Sequence, residues 1–420
     1  MSSLTGRDGA SAGDGRRPPG TATGAPVALL TYSTRPRGGV VHTVELAEAL
    51  HDAGRPVHVV TLGDPDQGFY RPVRAPHTIL PAPAPGATLE ERVAAAVDAL
   101  AEGLAPLAGR YRILHAQDCI AARAAARVRD RGARTLVVRT VHHVDDFTTP
   151  ALIDCQRRAI LEPDHVLVVS EHWRRLLGED PGVEAEVVPN GVDLERFSRP
   201  GPVDPAVLRA RIGAEERFLF LTVGGVEPRK GSAELLEAMA ALCGEAGPSP
   251  VLAVLGGHSF QDHSAYREAA LARATARGLE LGRDVVVLGT VPDAELVAWY
   301  RAADAFVLPS TREGWGLAVL EALAAERPVV ASDIEVFRSY LSDGESALLV
   351  PAGDAGAIAA AMRRVAGDHR LRERLAAAGP ALAARYTWAA SARRHAEIYD
   401  RLAPVAPPAR WAGRVAARLR

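Results

Sequence analysis

From Pro26 onward, short apolar runs alternate with longer amphipathic stretches. PVALLTY (26–32) predicts a buried strand, and GGVVHTVELAEALHDAG (38–54) predicts a helix. In the helix, Val41, Val44, Leu46 and Leu50 form an imperfect apolar stripe, and Gly54 supplies a C-terminal stop. PVHVVTL (56–62), YRILHA (111–116), TLVVRTV (135–141) and HVLVVS (165–170) are further predicted strands, separated by Ala/Arg-rich helical stretches. The rhythm stops at VPNGVDLERF (188–197) and a Pro-rich segment (200–205). It resumes with FLFLTVG (218–224), PVLAVLG (250–256), VVVLGT (285–290), AFVLPS (305–310) and PVVAS (328–332). Two blocks of strand–helix alternation predict two doubly wound α/β domains with mainly parallel sheets, 26–197 and 198–402. Such sheets bind ligands beyond the carboxyl ends of their strands. Two of them facing each other make a cleft, with a hinge expected near Pro200–Pro205.

Residues 370–402 read as helical, with a single Gly379-Pro380 break. After a second Pro cluster, ARWAGRVAARLR sets Trp411, Val415 and Leu419 on one face with arginines around it. This C-terminal helix (403–420) either packs back on the first domain or touches a membrane surface; its shortness favours docking. The first 25 residues are Gly, Ser, Arg, Pro and Thr with almost nothing apolar, which predicts a disordered tail.

Composition narrows the function. A length of 420 residues fits two domains, and a 48% apolar content fills two cores. The net charge of −2 provides no global field for nucleic acid or anionic lipid. Cys119, Cys155 and Cys243 lie apart, with no C-x-x-C pair, which argues against zinc or a disulfide framework. No run approaches the ~20 apolar residues of a membrane span. The expectation is a cytoplasmic protein, peripheral to a membrane at most. One lysine, Lys230, stands against 48 arginines, and there is one asparagine, Asn190. Either they persisted by chance or they mark positions where no substitute serves. Lys230 lies between a strand and a helix, where an α/β protein holds phosphate, and an ammonium meets phosphate oxygens as a compact point charge.

Other candidates cluster at strand ends. Gly38-Gly39 opens the first helix; it is either a tight turn or a place where backbone N–H groups approach an anion. Thr140-Val141-His142-His143 ends a strand. Adjacent residues there point in opposite directions, so we expect one hydrogen-bonding histidine and one bystander rather than a metal pair. In TREGWGLAVLEALAAERPVVAS, a Gly-Trp-Gly turn opens a helix, and the N–H groups of Trp315, Gly316 and Leu317 can hold a phosphate oxygen. Glu313 precedes that helix and Glu321 lies inside it. Two carboxylates beside a phosphate site imply a polyhydroxylated phosphate ester. Asp64-Pro65-Asp66 has a D-x-D form but sits in a Pro/Gly loop far from the rest, so no metal is assigned.

Taken in order and spacing, GGVVHTVELAEAL, the His142 segment, VVPNGVDLERF, VGGVEPRKG and EGWGLAVLEALAAERPVV resemble the retaining GT-B glycosyltransferases of family 4. The resemblance spans Pro26 to about Leu402 and extends, through HAQDCIAA, to an actinobacterial-type subgroup. It implies two Rossmann-like domains facing across a cleft, a nucleoside-diphosphate-sugar donor, an unidentified acceptor and no cofactor. It further implies that Gly38 and Gly39 border the donor phosphate and that His142 hydrogen-bonds the transferred sugar. Lys230 with Arg229 would bind the diphosphate, Glu313 the sugar hydroxyls and Glu321 the ribose, while Asn190 shapes the turn out of the first domain. Three departures stand out. Gly224-Gly225 replaces a Gly-Arg pair, Ala318 a proline, and Glu326-Arg327 a small residue and glycine. No carboxylate nucleophile accompanies His142, which favours the front-face route proposed for the family. The alternatives are an epimerase or phosphorylase on the same fold, or a non-catalytic partner that binds the donor, for which Gly225 is the main support.

Overall fold

The computed structural model describes residues 24–404 apart from 85, 246, 247, 258 and 259. The expected tail therefore lies almost wholly outside the described residues, as does the C-terminal helix beyond Pro404. The first sheet contains β1 (Val27–Thr31), β2 (Val57–Gly63), β3 (His77–Pro81), β4 (Ile113–Ala116), β5 (Leu136–Val141), β6 (His165–Val168) and β7 (Ala185–Val187). Its order is β3-β2-β1-β4-β5-β6-β7, with every pair parallel. The second contains β8 (Leu219–Val223), β9 (Val251–Leu255), β10 (Val285–Gly289), β11 (Ala305–Leu308), β12 (Val329–Ser332) and β13 (Leu348–Val350). It runs β10-β9-β8-β11-β12-β13, again all parallel.

Burial on both faces explains why the strand runs lack polar alternation. On β1, Ala28 and Leu30 join one apolar cluster, and Val27 and Leu29 join another on the opposite face. β3, β7 and β13 were not predicted; they are sheet-edge strands of five, three and three residues. The side chains of β3 are half-buried or exposed. At the end of the first helix, Gly54 takes φ 75°, as the C-terminal stop requires.

Two expectations about the domain junction need correction. The Pro-rich segment is not the hinge: Phe197, before it, already packs on the Tyr300 ring of the second domain at 5.5 Å. The chain instead crosses at Asn190–Val192 and crosses back at Tyr386–Trp388. The two crossings lie side by side, with the Val192 N–H donating to the Tyr386 carbonyl at 2.9 Å. Gly191 has to be glycine because a Cβ would overlap the Trp388 backbone. The second correction concerns the Trp388–Leu402 helix, assigned above to the second domain. It packs on the first, burying Trp388, Ile398 and Tyr399 against Leu29, Leu46 and Val59. Arg55 fixes it with a paired contact to Asp400 at 2.8 and 2.9 Å.

Glu326 takes φ 58° after the Leu317–Ala324 helix, a left-handed conformation that favours glycine. The departure noted there is therefore backbone strain, away from the charge chemistry.

Candidate active site

The site lies where the carboxyl ends of β8 and β11 face those of β4 and β5. β8 ends at Val223 and leads through Gly224-Gly225 to a short 3₁₀ turn, Pro228–Lys230. Gly224 takes φ 137°, and a Cβ there would lie 2.7 Å from Cε of Lys230. The glycine thus lets the lysine stem cross the backbone. Gly225, where the related pattern has arginine, takes φ 76° and packs on the Gly256-Gly257 backbone. That conformation disfavours a side chain.

Lys230 Nζ donates to Glu313 Oε1 at 2.6 Å, Arg229 to Oε2 at 3.2 Å, and the Ser310 hydroxyl to Oε1 at 2.8 Å. Glu313 is only 7% exposed. Burial alone would push its carboxyl up, but the Lys230 and Arg229 charges outweigh this and hold its pKa at about 2. Burial lowers the Lys230 ammonium, and Glu313 opposes that effect. One of the three ammonium hydrogens is used by Glu313, so the other two remain for a ligand.

Glu313 leads through Gly314, Trp315 and Gly316 into the Leu317–Ala324 helix. Gly316 takes φ 91°, and a Cβ there would lie 2.5 Å from the Phe337 ring. The first N–H groups of a helix have no partner in its ladder, so this end favours an anion. The Trp315 ring stacks on Tyr340 at 5.1 Å and is buried, so only its backbone is available.

Across the cleft, His142 Nε2 lies 3.1 Å from Gln117 Oε1. Burial, then the neighbouring His42 and Arg139, hold His142 well below the ordinary histidine range, hence neutral. His143 turns away to Asp145, 3.4 Å from Nε2 to Oδ1, as expected for a bystander. A Cβ on Gly39 would lie 3.8 Å from the His142 ring, and one on Gly314 would overlap the His142 carbonyl oxygen. Gly39, Gln117, His142, Gly314, Glu313, Lys230 and Arg229 therefore form one continuous constellation. Gly38 opens the first helix beside it, with open space around its α-carbon. The halves are further joined by the Arg312–Asp146 ion pair and by the Trp173 Nε1–H donating to the Glu313 carbonyl at 3.1 Å.

Glu321 stands apart from the Lys230–Glu313 pair. Its Oε2 accepts from the Tyr300 hydroxyl at 2.7 Å, and burial raises its pKa. It lines a narrow pocket with Val41, Glu45, Arg196, Leu317 and Trp388. Leu317 links this pocket to the anion-favouring helix start. Gln117 escaped the sequence reading except as part of HAQDCIAA; its signal is a buried polar residue directly after a strand. Asp64 of the D-x-D segment is spent on its own turn, accepting from Asp66 N–H at 3.0 Å and Gln67 at 2.8 Å.

Residues 36–196 match the family described as Glycosyltransferase Family 4, and residues 207–381 match Glycosyl transferases group 1. The phosphatidyl-myo-inositol mannosyltransferase of Mycobacterium leprae (strain TN) is 31% identical over 382 residues, covering 89% of this chain and 96% of that protein. This chain belongs to the group 1 glycosyltransferases. The D-inositol 3-phosphate glycosyltransferase of Frankia alni shares 38% identity over 227 residues, 53% of this chain and 54% of that protein. The glycosyltransferase has the GT-B fold. Sucrose-phosphate synthase from Thermosynechococcus elongatus matches it with a TM-score of 0.73 at 23% identity, over 90% of this chain and 99% of that one. Anabaena HepE in complex with UDP and glucose matches with a TM-score of 0.75 at 20% identity, over 90% and 100%. Among the described residues no helix is long and apolar enough to cross a membrane.

Proposed function

We propose that this glycosyltransferase moves a sugar from a nucleoside-diphosphate donor to an acceptor hydroxyl with retention of configuration. The observation that carries this is the buried Lys230–Glu313–Arg229 cluster beside the Leu317 helix start, facing a neutral histidine across the cleft. The bond between the anomeric carbon and the phosphate oxygen breaks, and negative charge grows on the departing diphosphate. Lys230, Arg229 and the N–H groups of Trp315, Gly316 and Leu317 are fixed positive potential at that point, of the kind that stabilises a developing charge without reorganisation. Gly38 and Gly39 border the same phosphate.

Glu313 stays ionised and presents carboxylate lone pairs to sugar hydroxyls. With Nε2–H directed to Gln117, the His142 Nδ1 is left to accept from a hydroxyl near the anomeric carbon. The acceptor oxygen bonds to that carbon on the face the phosphate leaves, and its proton passes to the departing phosphate oxygen. Glu321, one turn beyond Leu317, takes the ribose hydroxyls. For the acceptor we propose an inositol-bearing polyol, free or lipid-linked, by analogy with the acceptors in the names of the mannosyltransferase and inositol-phosphate relatives.

The test is turnover of a panel of nucleotide sugars with myo-inositol, inositol phosphate and phosphatidylinositol, read by mass spectrometry. The anomeric configuration of the product by NMR then checks retention. Folded Lys230→Ala enzyme turning over at the wild-type rate would overturn the assignment.

A further inference from the structure

His42 is fully buried on the Gly38–Asp52 helix, and the chemistry above does not use it. Its Nδ1 lies 2.9 Å from Oδ1 of Asn190. An amide oxygen only accepts, so in this orientation Nδ1 carries the hydrogen and Nε2 is a bare lone pair. That Nε2 is buried with no hydrogen-bond partner among the described residues. The His42 ring meets the His142 ring edge-on at 4.6 Å and the Trp388 ring at 5.3 Å. Asn190 belongs to the outgoing crossing between the domains, and Trp388 starts the helix after the returning one. One side chain thus touches the site histidine and both connections.

Core filling alone does not account for this arrangement. A buried nitrogen without a partner costs roughly 1–3 kcal/mol, which an apolar side chain of similar size avoids. The chain also spends its one asparagine on this ring.

We propose that His42 is a positioning residue: held in one tautomer by Asn190, it sets the rotation of the His142 ring and ties it to the crossing between the domains. This rests on the placement of His142 against the transferred sugar argued above. A misplacement on the order of 1 Å at such a group costs about 100-fold in rate. The titratable groups facing His42 are His142 from the end of β5, His395 from the Trp388–Leu402 helix at 6.0 Å, and His115 from β4. Burial before all else holds each of these neutral, as it does His42 itself. A proton on His42 would therefore be a new charge beside the site.

Asn190→Asp puts a carboxylate of nearly the same shape at Nδ1 and favours the imidazolium form. In this variant kcat should gain an ionisation between about pH 5 and 8 and fall roughly tenfold or more on the acid side, with donor KM within about twofold of wild type. Adding His42→Gln should remove that ionisation. A flat kcat profile in folded Asn190→Asp, or an ionisation that survives in the double variant, overturns the proposal. Should the aspartate variant not fold, ¹⁵N-histidine NMR on the wild-type protein decides: Nδ1–H on His42 supports the coupling and Nε2–H overturns it. His142→Ala separates the two claims. If it retains full turnover, the site assignment fails; if it is inactive while Asn190→Asp is flat, only the coupling fails.

Discussion

Mild acid should destabilise the first domain through its buried histidines. His42 and His395 are fully buried. Burial, reinforced by His395, holds His42 at about 3, and burial holds His395 at about 4. An unfolded histidine titrates near 6.5. Both folded values lie below the unfolded one, so the unfolded chain binds protons first. The stabilisation is complete above about pH 6.5 and is lost as pH falls from there toward the folded values. Each ring changes the unfolding free energy by about 1.4 kcal/mol per pH unit in that window. Going from pH 7 to pH 5 therefore removes about 2 kcal/mol per ring, or about 4 for the pair. That is a large part of the 5–15 kcal/mol typical of a domain. His115, also held low by burial, adds in the same direction. The buried carboxyls of Glu45, Asp118 and Glu321 are raised by burial and act in the opposite sense. The discriminating quantity is therefore the difference between wild type and His395→Gln. Urea unfolding at pH 7, 6 and 5, followed by tryptophan fluorescence, should show the variant losing about 2 kcal/mol less than wild type between pH 7 and pH 5. Equal losses would refute the reasoning.

Lys230→Ala should lower kcat/KM by roughly 100- to 1,000-fold, as loss of one preformed charge contact does; circular dichroism should show an intact fold. Gly314→Ala should reduce transfer severely with little loss of stability, because the added methyl overlaps the His142 carbonyl and wedges the halves apart; small-angle scattering would show the longer molecule, and unchanged activity and shape would contradict it. The Arg312–Asp146 pair is exposed, so Asp146→Ala should cost no more than about 1 kcal/mol in stability or donor binding, measurable by thermal shift and calorimetry. Glu326→Gly should raise stability by about 1 kcal/mol by relieving the left-handed strain, read as a higher urea midpoint with the same slope.

The legible parts of the sequence were those fixed by local pattern. Central strands buried on both faces announce themselves as apolar runs, and the turns that carry Lys230 and Glu313 are punctuated by glycines where backbone and side chains pass closely. The edge strands did not show because three to five half-exposed residues carry no period. The hinge was misplaced because proline density suggests a linker, whereas the crossing is a pair of segments joined by a single bridge between Val192 and Thr387, nearly two hundred positions apart. No periodicity in residues 388–402 could tell which of two domains their apolar face would cover. Glu321 was assigned by motif to the same ligand as Glu313; its bond to Tyr300 and its separate pocket emerge only from the fold.

The return of the last helix changes how the site has to be understood. In a simple two-lobed enzyme the second lobe would hang from one strand of chain, and closure would be a matter of linker freedom. Here the chain crosses twice, the crossings are hydrogen-bonded to each other, and the helix beyond the second crossing completes the core of the first lobe. Rotation of one lobe on the other must then bend two parallel connections together about Gly191 and Val192. Gly314 sits directly against the His142 carbonyl across the cleft. Glycine at 314 is thus what this close approach requires, and His142 and Gln117 join the Lys230–Glu313–Arg229 cluster where the lobes touch. On the proposed reading, a glycosyltransferase so hinged would present its fixed positive charges in one register to the leaving phosphate, which is the condition for that charge to count in the transition state.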